Sequence, residues 1–318
     1  MESMSGDNFS ILITGGGGLI GTHLRRQFER QGHRVDTLDL KKHDLDGIPI
    51  DHVGDVATIN SMGLEQNGYN GIIHLAAVSR VIDAELNKEE CTRVNIGGTQ
   101  EVLSFARKAN VSWFIFGSSR EVYGEPSSLP VKERDGVAPM NHYGVVKVDG
   151  ERLVKEFCNQ HGLASCNLRF SNVYGHPGDH KTRLINAFVF RALQSKPLEI
   201  HGGGQVFDFT HVTDTAEAVF KAACLLQVHG TSLPDMHILP GVPVAIEDLA
   251  ALVLALTNST SKVIFTSGRD YDVEHFYGDA GRMREVLNHE CAISLESGLR
   301  RSIDLARKQM ETKHEGGR

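Results

Sequence analysis

The stretch Ile11–Leu24, ILITGGGGLIGTHL, decides the fold. Its first four residues form an apolar, β-branched run that reads as a buried strand, and Leu19–Gln31 reads as an amphipathic helix. Between them Gly15, Gly18 and Gly21 recur at every third position. Glycine is needed where a chain turns tightly and its backbone must approach a pyrophosphate closely. The helix that follows offers free N–H groups and a positive dipole end to that phosphate. A glycine triplet alone is weak evidence, and its strand–turn–helix setting is what makes it a dinucleotide site.

The next strand, HRVDTLDL, ends at Asp39, about twenty residues on. A carboxylate there accepts hydrogen bonds from ribose hydroxyls and repels a 2′-phosphate, which selects NAD over NADP. Lys41 and Lys42 pull weakly the other way. Further strands follow at GIIHLAA, SWFIFGSS and ASCNLRFSNVYG, with a helical stretch around Val94–Ala109 among them. This alternation predicts an α/β protein with a Rossmann-type, doubly wound parallel sheet. Right-handed crossovers then bring the strand C-termini to one edge, where ligands bind. Beyond Gly175, glycine and proline become frequent (GHPGDH, HGGGQ, LPGVP) and the strands are short, as in a smaller, discontinuous substrate lobe. The expected division is 1–174 for the dinucleotide-binding domain, with a return segment at about 205–240. The lobe then takes 175–204 and 241–318. The polar end KQMETKHEGGR is expected to fray.

Composition excludes several classes. Hydrophobic residues make up 40% and charged residues 23% of the 318, as in ordinary globular proteins. A net charge of −7 argues against nucleic acid as a partner. No apolar run is long enough to span a membrane, and the start MESMSGDNFS lacks the pattern of a signal peptide, so a cytoplasmic location is expected. Cys91, Cys158, Cys166, Cys224 and Cys291 are scattered without metal spacing, as reduced thiols would be, and no metal site is expected.

NHYGVVK carries Tyr143 and Lys147 four residues apart at the start of a helical run. That spacing puts both side chains on one helix face, roughly 5–6 Å apart at Cβ. An ammonium near a phenol stabilises the phenolate and lowers its pKa toward working pH. The pair can then take a proton from an alcohol while hydride leaves the same carbon.

With these pieces in hand, the chain resembles the extended short-chain dehydrogenases/reductases, specifically the nucleotide-sugar epimerases and dehydratases. The matching pieces are TGGGGLIG, GDV at Gly54–Val56, HLAA at His74–Ala77, RVNIGGT, SSREVYG, YGVVK, LRFSNVYG, DFTHVTD and SLESGLRRSIDLA. They occur in the family's order and cover nearly the whole chain. The resemblance implies tightly held NAD and a nucleotide-diphosphate sugar as substrate. On the cofactor side it implies Leu19 and Ile20 in the glycine loop, Asp55 and Val56 beside the adenine, and Leu75, Ala76 and Ala77 lining the cleft. Asn95 and Phe170 belong to the same side, and Lys147 would hold the nicotinamide ribose. It makes Tyr143 the base and Ser119 the residue that hydrogen-bonds the substrate hydroxyl. Ser79, Ser118 and Asn172 are implied on the substrate side, with Arg183 and Arg269 in looser correspondence. A homodimer built on the helices Val94–Ala109 and Val145–Gln160 is also implied.

Two departures stand out. Phe207, in GGGQVFDFT, occupies the place where relatives carry a diphosphate-gripping arginine, and the usual NxG is altered to HILPG at His237–Gly241. The segment SSREVYG adds Arg120 and Glu121 beside the serines. Three roles stay open for them: an ion pair that shapes the loop, Glu121 as an acid/base, or Arg120 as a bidentate partner for a substrate carboxylate. The leading expectation is an NAD-dependent nucleotide-sugar 4-epimerase acting through a 4-keto intermediate. The alternatives are a dehydratase or decarboxylase that uses Glu121, and a non-catalytic NAD-binding sensor or scaffold.

Overall fold

The computed structural model describes residues 8–315. The chain starts with β1 (Ser10–Thr14), α1 (Leu19–Arg30), β2 (Arg34–Asp39), β3 (His52–Val53) and β4 (Gly71–His74). Next come α2 (Val81–Leu86), α3 (Lys88–Thr92), α4 (Gly98–Lys108), β5 (Trp113–Ser119), α5 (His142–His161) and β6 (Ala164–Phe170). These strands, with β11 (Met236–Ile238) from later in the chain, form a seven-stranded parallel sheet in the order β11-β6-β5-β4-β1-β2-β3. The order reverses between β1 and β4, the switch point at which such sheets open a crevice.

Both sheet faces are covered, which is why the strands read as continuous apolar runs. Ile11, Ile13, Trp113 and Ile115 pack on one side with Leu24 and Phe28 of α1. Leu12, Ile72, Phe114 and Phe116 pack on the other with Val102, Leu103 and Phe105 of α4 and Val154 of α5. The pairing of Gly71 with Trp113 across β4 and β5 has a steric cause, since a Cβ at 71 would lie 2.1 Å from the indole.

After β6 the chain leaves the main sheet. The single strand read at ASCNLRFSNVYG is broken at Ser171, and β7 (Asn172–Tyr174) pairs instead with β10 (Phe209–His211). Between them lie α6 (Leu184–Leu193), β8 (Leu198–His201) and β9 (Val206–Phe207). Then α7 (Val212–His229) packs beside α1, and β11 (Met236–Ile238) closes the main sheet against β6. The remainder comprises β12 (Val244–Ala245), α8 (Ile246–Thr257), β13 (Val263–Thr266), β14 (His275–Phe276), α9 (Gly281–Leu287) and α10 (Leu295–Glu315). Two small sheets, β13-β8 and β12-β9-β14, face the C-terminal edge of the main one. Since β9 belongs to the second, the chain returns to the main sheet later than residue 205. The polar tail is helical to Glu315, because Leu299, Ile303 and Ala306 anchor one face of α10; its last three residues lie outside the described region. Among the described residues no helix is long and apolar enough to cross a membrane.

Candidate active site

A cavity of about 420 Å³ opens between the C-terminal edge of the main sheet and the small sheets. Its floor is the glycine loop. Gly15 adopts φ +76°, and a Cβ there would lie 2.7 Å from the Ala76 nitrogen. A Cβ on Gly21 would lie 2.4 Å from the Gly15 carbonyl oxygen, so the third glycine lets α1 pack on the turn. Gly18 starts α1 without a side-chain cap and lines the cavity with Gly15, Leu19, Ile20 and Gly21. A helix N-terminus uncapped by any side chain and facing a cavity fits a dinucleotide pyrophosphate.

Asp39 holds this loop. Its carboxylate accepts from the N–H groups of Gly17 and Lys41, both at 2.9 Å. The Lys41 ammonium donates back to the Gly17 carbonyl at 3.0 Å, which turns its charge toward the loop. Asp55 caps the turn at Val56 by accepting from the Ala57 N–H and pairs with Arg93 at 3.0 Å. Asp39, Asp55, Val56, Ala76 and Asn95 lie off the cavity wall, whereas Leu75 and Ala77 line it. Asn95, on the cofactor side by resemblance, clamps the backbone of Val78 with both ends of its buried amide (2.8 and 3.1 Å). It positions the β4 loop from one layer back.

The opposite wall carries Ser119, Tyr143, Lys147 and Phe170. The Lys147 ammonium donates to the Gly117 carbonyl at 2.6 Å and lies 5.7 Å from the Tyr143 ring centroid. Burial pulls its pKa down to about 8. Burial also pushes the Tyr143 phenol above its ordinary range, opposed by the charge of Arg183 and the Ser119 hydroxyl. The charges that act on the phenol are those of Arg183, which lowers it, and Glu121, which raises it; the lowering expected from Lys147 is not among the leading causes.

Ser118 and Ser119 point to opposite sides of β5. Ser119 faces the cavity and caps the turn Arg120–Tyr123 by accepting from the Glu121 N–H at 3.2 Å. Ser118 also borders the cavity, while its hydroxyl donates to Glu151, which forms a buried ion pair with Arg169 at 2.7 Å. Arg169 continues to Tyr123, and Tyr123 to His237, in a network behind the site that the sequence did not reveal.

Arg120 pairs with Glu121 at 3.0 Å. The second Glu121 oxygen accepts from the Asn141 amide at 2.7 Å, while Asn141 caps α5 by accepting from the Gly144 N–H. Asn141 carries a signal that could have been read, an asparagine just before a helix start. Phe207 lies beneath Arg120, with 4.4 Å from guanidinium carbon to ring centroid. On the remaining wall, Asn172 donates to the Asp208 carbonyl, Arg183 pairs with Asp179 and donates to Ser79, and Arg269 pairs with Asp272. Arg80, His201 and Gln205 also line the cavity and were not anticipated, His201 ending the four-residue strand β8 and Gln205 following the glycine run after it.

Comparisons with known proteins agree with this architecture. A family model described as the NAD dependent epimerase/dehydratase family matches residues 11–228. The UDP-N-acetyl-alpha-D-glucosaminuronate decarboxylase of Bacillus cytotoxicus is 30% identical over 93% of this chain and 97% of its own. The UDP-glucose 4-epimerase of Streptomyces lividans is 26% identical over 87% of this chain and 89% of its own. Among solved structures, MoeE5 in complex with UDP-glucose and NAD superposes with a TM-score of 0.86 at 28% identity, covering 95% of this chain and 99% of that one. The same protein has been solved with UDP-glucuronic acid and NAD.

Proposed function

As the chain belongs to the NAD dependent epimerase/dehydratase family, we propose that it is a nucleotide-sugar 4-epimerase acting on a UDP-hexose or UDP-uronate through a transient 4-keto sugar. The observation that carries this choice is the engagement of Glu121. Both of its oxygens are held, one by Arg120 and one by Asn141, which leaves the proton chemistry of the cavity to Tyr143 and Ser119. A dehydratase needs a free acid and base for the C5 proton and the leaving hydroxyl, and an epimerase does not.

NAD, when bound, would supply a reversible hydride acceptor beside the sugar. Gly15, Gly18 and Gly21 would hold its pyrophosphate, and Asp39 an adenosine ribose. Tyr143 takes the proton from the C4 hydroxyl and later gives it back to the same oxygen. Ser119 orients that oxygen, and the Arg183 charge opposes the effect of burial on the phenol, with the Lys147 ammonium 5.7 Å from its ring centroid. Asn172 and Arg183 face the nucleotide end. The homodimer belongs to the same proposal; the exposed residues of α4 and α5 there include Gln100, Arg107, Asp149, Arg152 and Lys155.

The test is incubation of NAD-loaded protein with UDP-glucose, UDP-GlcNAc, UDP-glucuronate and their GDP, dTDP and CDP relatives, followed by mass spectrometry and proton NMR. An unchanged mass with an inverted C4 proton coupling is expected. Loss of carbon dioxide or water would replace the epimerase with the decarboxylase or dehydratase reading, the former favoured by the Bacillus cytotoxicus relative.

A further inference from the structure

Arg120 follows Ser119 directly, so its backbone lies one residue from the group assigned to the reacting oxygen. Its guanidinium lies 4.4 Å from the Phe207 ring centroid and 5.6 Å from that of Phe276, which restricts its plane. One terminal nitrogen pairs with Glu121. The other, Nη1, is buried and has no acceptor among the described residues. A buried donor on a charged group costs more unpaired than a neutral one. Other carboxylates near the cavity are engaged: Asp179 holds Arg183, and Asp272 holds Arg269. Asp208, which feels the Arg120 charge, accepts instead from the Ser171 hydroxyl and the Gly278 N–H.

Resting on the function proposed above, we propose that Arg120 is a specificity-determining residue whose guanidinium takes the C6 carboxylate of a nucleotide uronate. The substrate carboxylate supplies the acceptor that Nη1 lacks, and the aromatic shelf keeps the planar fork in place for it. Glu121 neutralises the guanidinium in the free protein and competes for it in the complex. The two residues of the pair therefore act on substrate choice with opposite signs. If the pair only shaped the loop, removing either one would have the same effect.

Calorimetric titration of the NAD-loaded protein with UDP-glucuronate, UDP-glucose and UDP tests this without requiring turnover. The unmodified protein is expected to bind UDP-glucuronate about tenfold or more tighter than UDP-glucose. Arg120→Gln and the conservative Arg120→Lys should each lose that preference by about tenfold, with UDP as the internal reference. Glu121→Gln should widen the preference. Thermal unfolding of each variant separates a folding defect from a binding effect, and Arg120→Lys serves if Arg120→Gln does not fold. Equal binding of the two sugars by the unmodified protein would overturn the role of Arg120 alone. So would a parallel loss of all three ligands in Arg120→Gln, which would assign the arginine to the diphosphate, or a shift of the same sign in Arg120→Gln and Glu121→Gln. Failure of the unmodified protein to bind any of the three, UDP included, would instead overturn the nucleotide-sugar reading itself and this role with it.

Discussion

Lys147 is buried, and its ammonium has one hydrogen-bond acceptor in the Gly117 carbonyl. Its charge supports a phenolate on Tyr143 only while the lysine is protonated, and its pKa is about 8. The contribution of Lys147 to catalysis should therefore be complete below about pH 8 and fall as pH rises through that value. A profile of kcat/KM from pH 6 to 10 checks this, and a plateau persisting beyond pH 9.5 would contradict it. Lys147→Met should remove the alkaline limb and lower kcat by about 10²–10⁴, and Tyr143→Phe should lower it by a similar factor. The tyrosine and lysine were legible as a pair because helical spacing fixes which face they share. The upward shift of the phenol was not, because burial is a property of the fold and not of a seven-residue motif.

At the scale of elements, α5 depends on its first cap. Asn141 accepts from the Gly144 N–H and donates to Glu121 and to the Tyr271 carbonyl, so one amide joins the catalytic helix, the turn after β5 and the segment before β14. Asn141→Ala removes a cap worth about 0.5–2 kcal/mol and leaves one Glu121 oxygen without its partner. A loss of roughly 2–3 kcal/mol is expected in urea unfolding, with an unchanged m-value. The unit β1–glycine loop–α1 was legible because strand, turn and helix each have a local requirement. The sheets β13-β8 and β12-β9-β14 were not, because strands of two to four residues carry no periodicity and pair with segments far away in the chain. The run ASCNLRFSNVYG was read as a strand entering a loop; that Asn172–Tyr174 forms β7 and pairs with β10 was not legible, because its partner lies more than thirty residues on.

Across the whole molecule, burial keeps several histidines neutral. His74 is pulled down to about 3, and His23 and His211 to about 4, each chiefly by loss of water. Their neutral forms are favoured in the fold. The associated stability is present above the unfolded value of about 6.5 and is lost as pH falls from there toward the folded values. Asp208, raised to about 6 by burial, works in the opposite sense between about 6 and 3.8, one proton against three. The unfolding temperature should therefore fall steadily between pH 6.5 and 4, as measured by calorimetry at constant ionic strength; a flat profile would show that these histidines are solvated. The parallel, doubly wound character of the main sheet was legible, because strands alternating with helices and right-handed crossovers leave few alternatives; β3 and β11, of two and three residues, were too short to read. The network from Ser118 through Glu151, Arg169 and Tyr123 to His237 was not, since it gathers side chains from points spread over more than a hundred residues.

The two serines at the end of β5 give that strand a parity. One faces the cavity and the other the buried ion pair behind it, and the pleat alone decides which is which. Insertion or loss of a single residue between Trp113 and Gly117 would exchange them, placing the serine of the polar network in the cavity and the cavity serine against Glu151. The β5 side chains that follow the change would switch faces with them, while those before it keep theirs. Substitution in this strand should therefore be better tolerated than any change in the number of residues from Trp113 to Ser119. Length changes have to be absorbed in the loop after Tyr123.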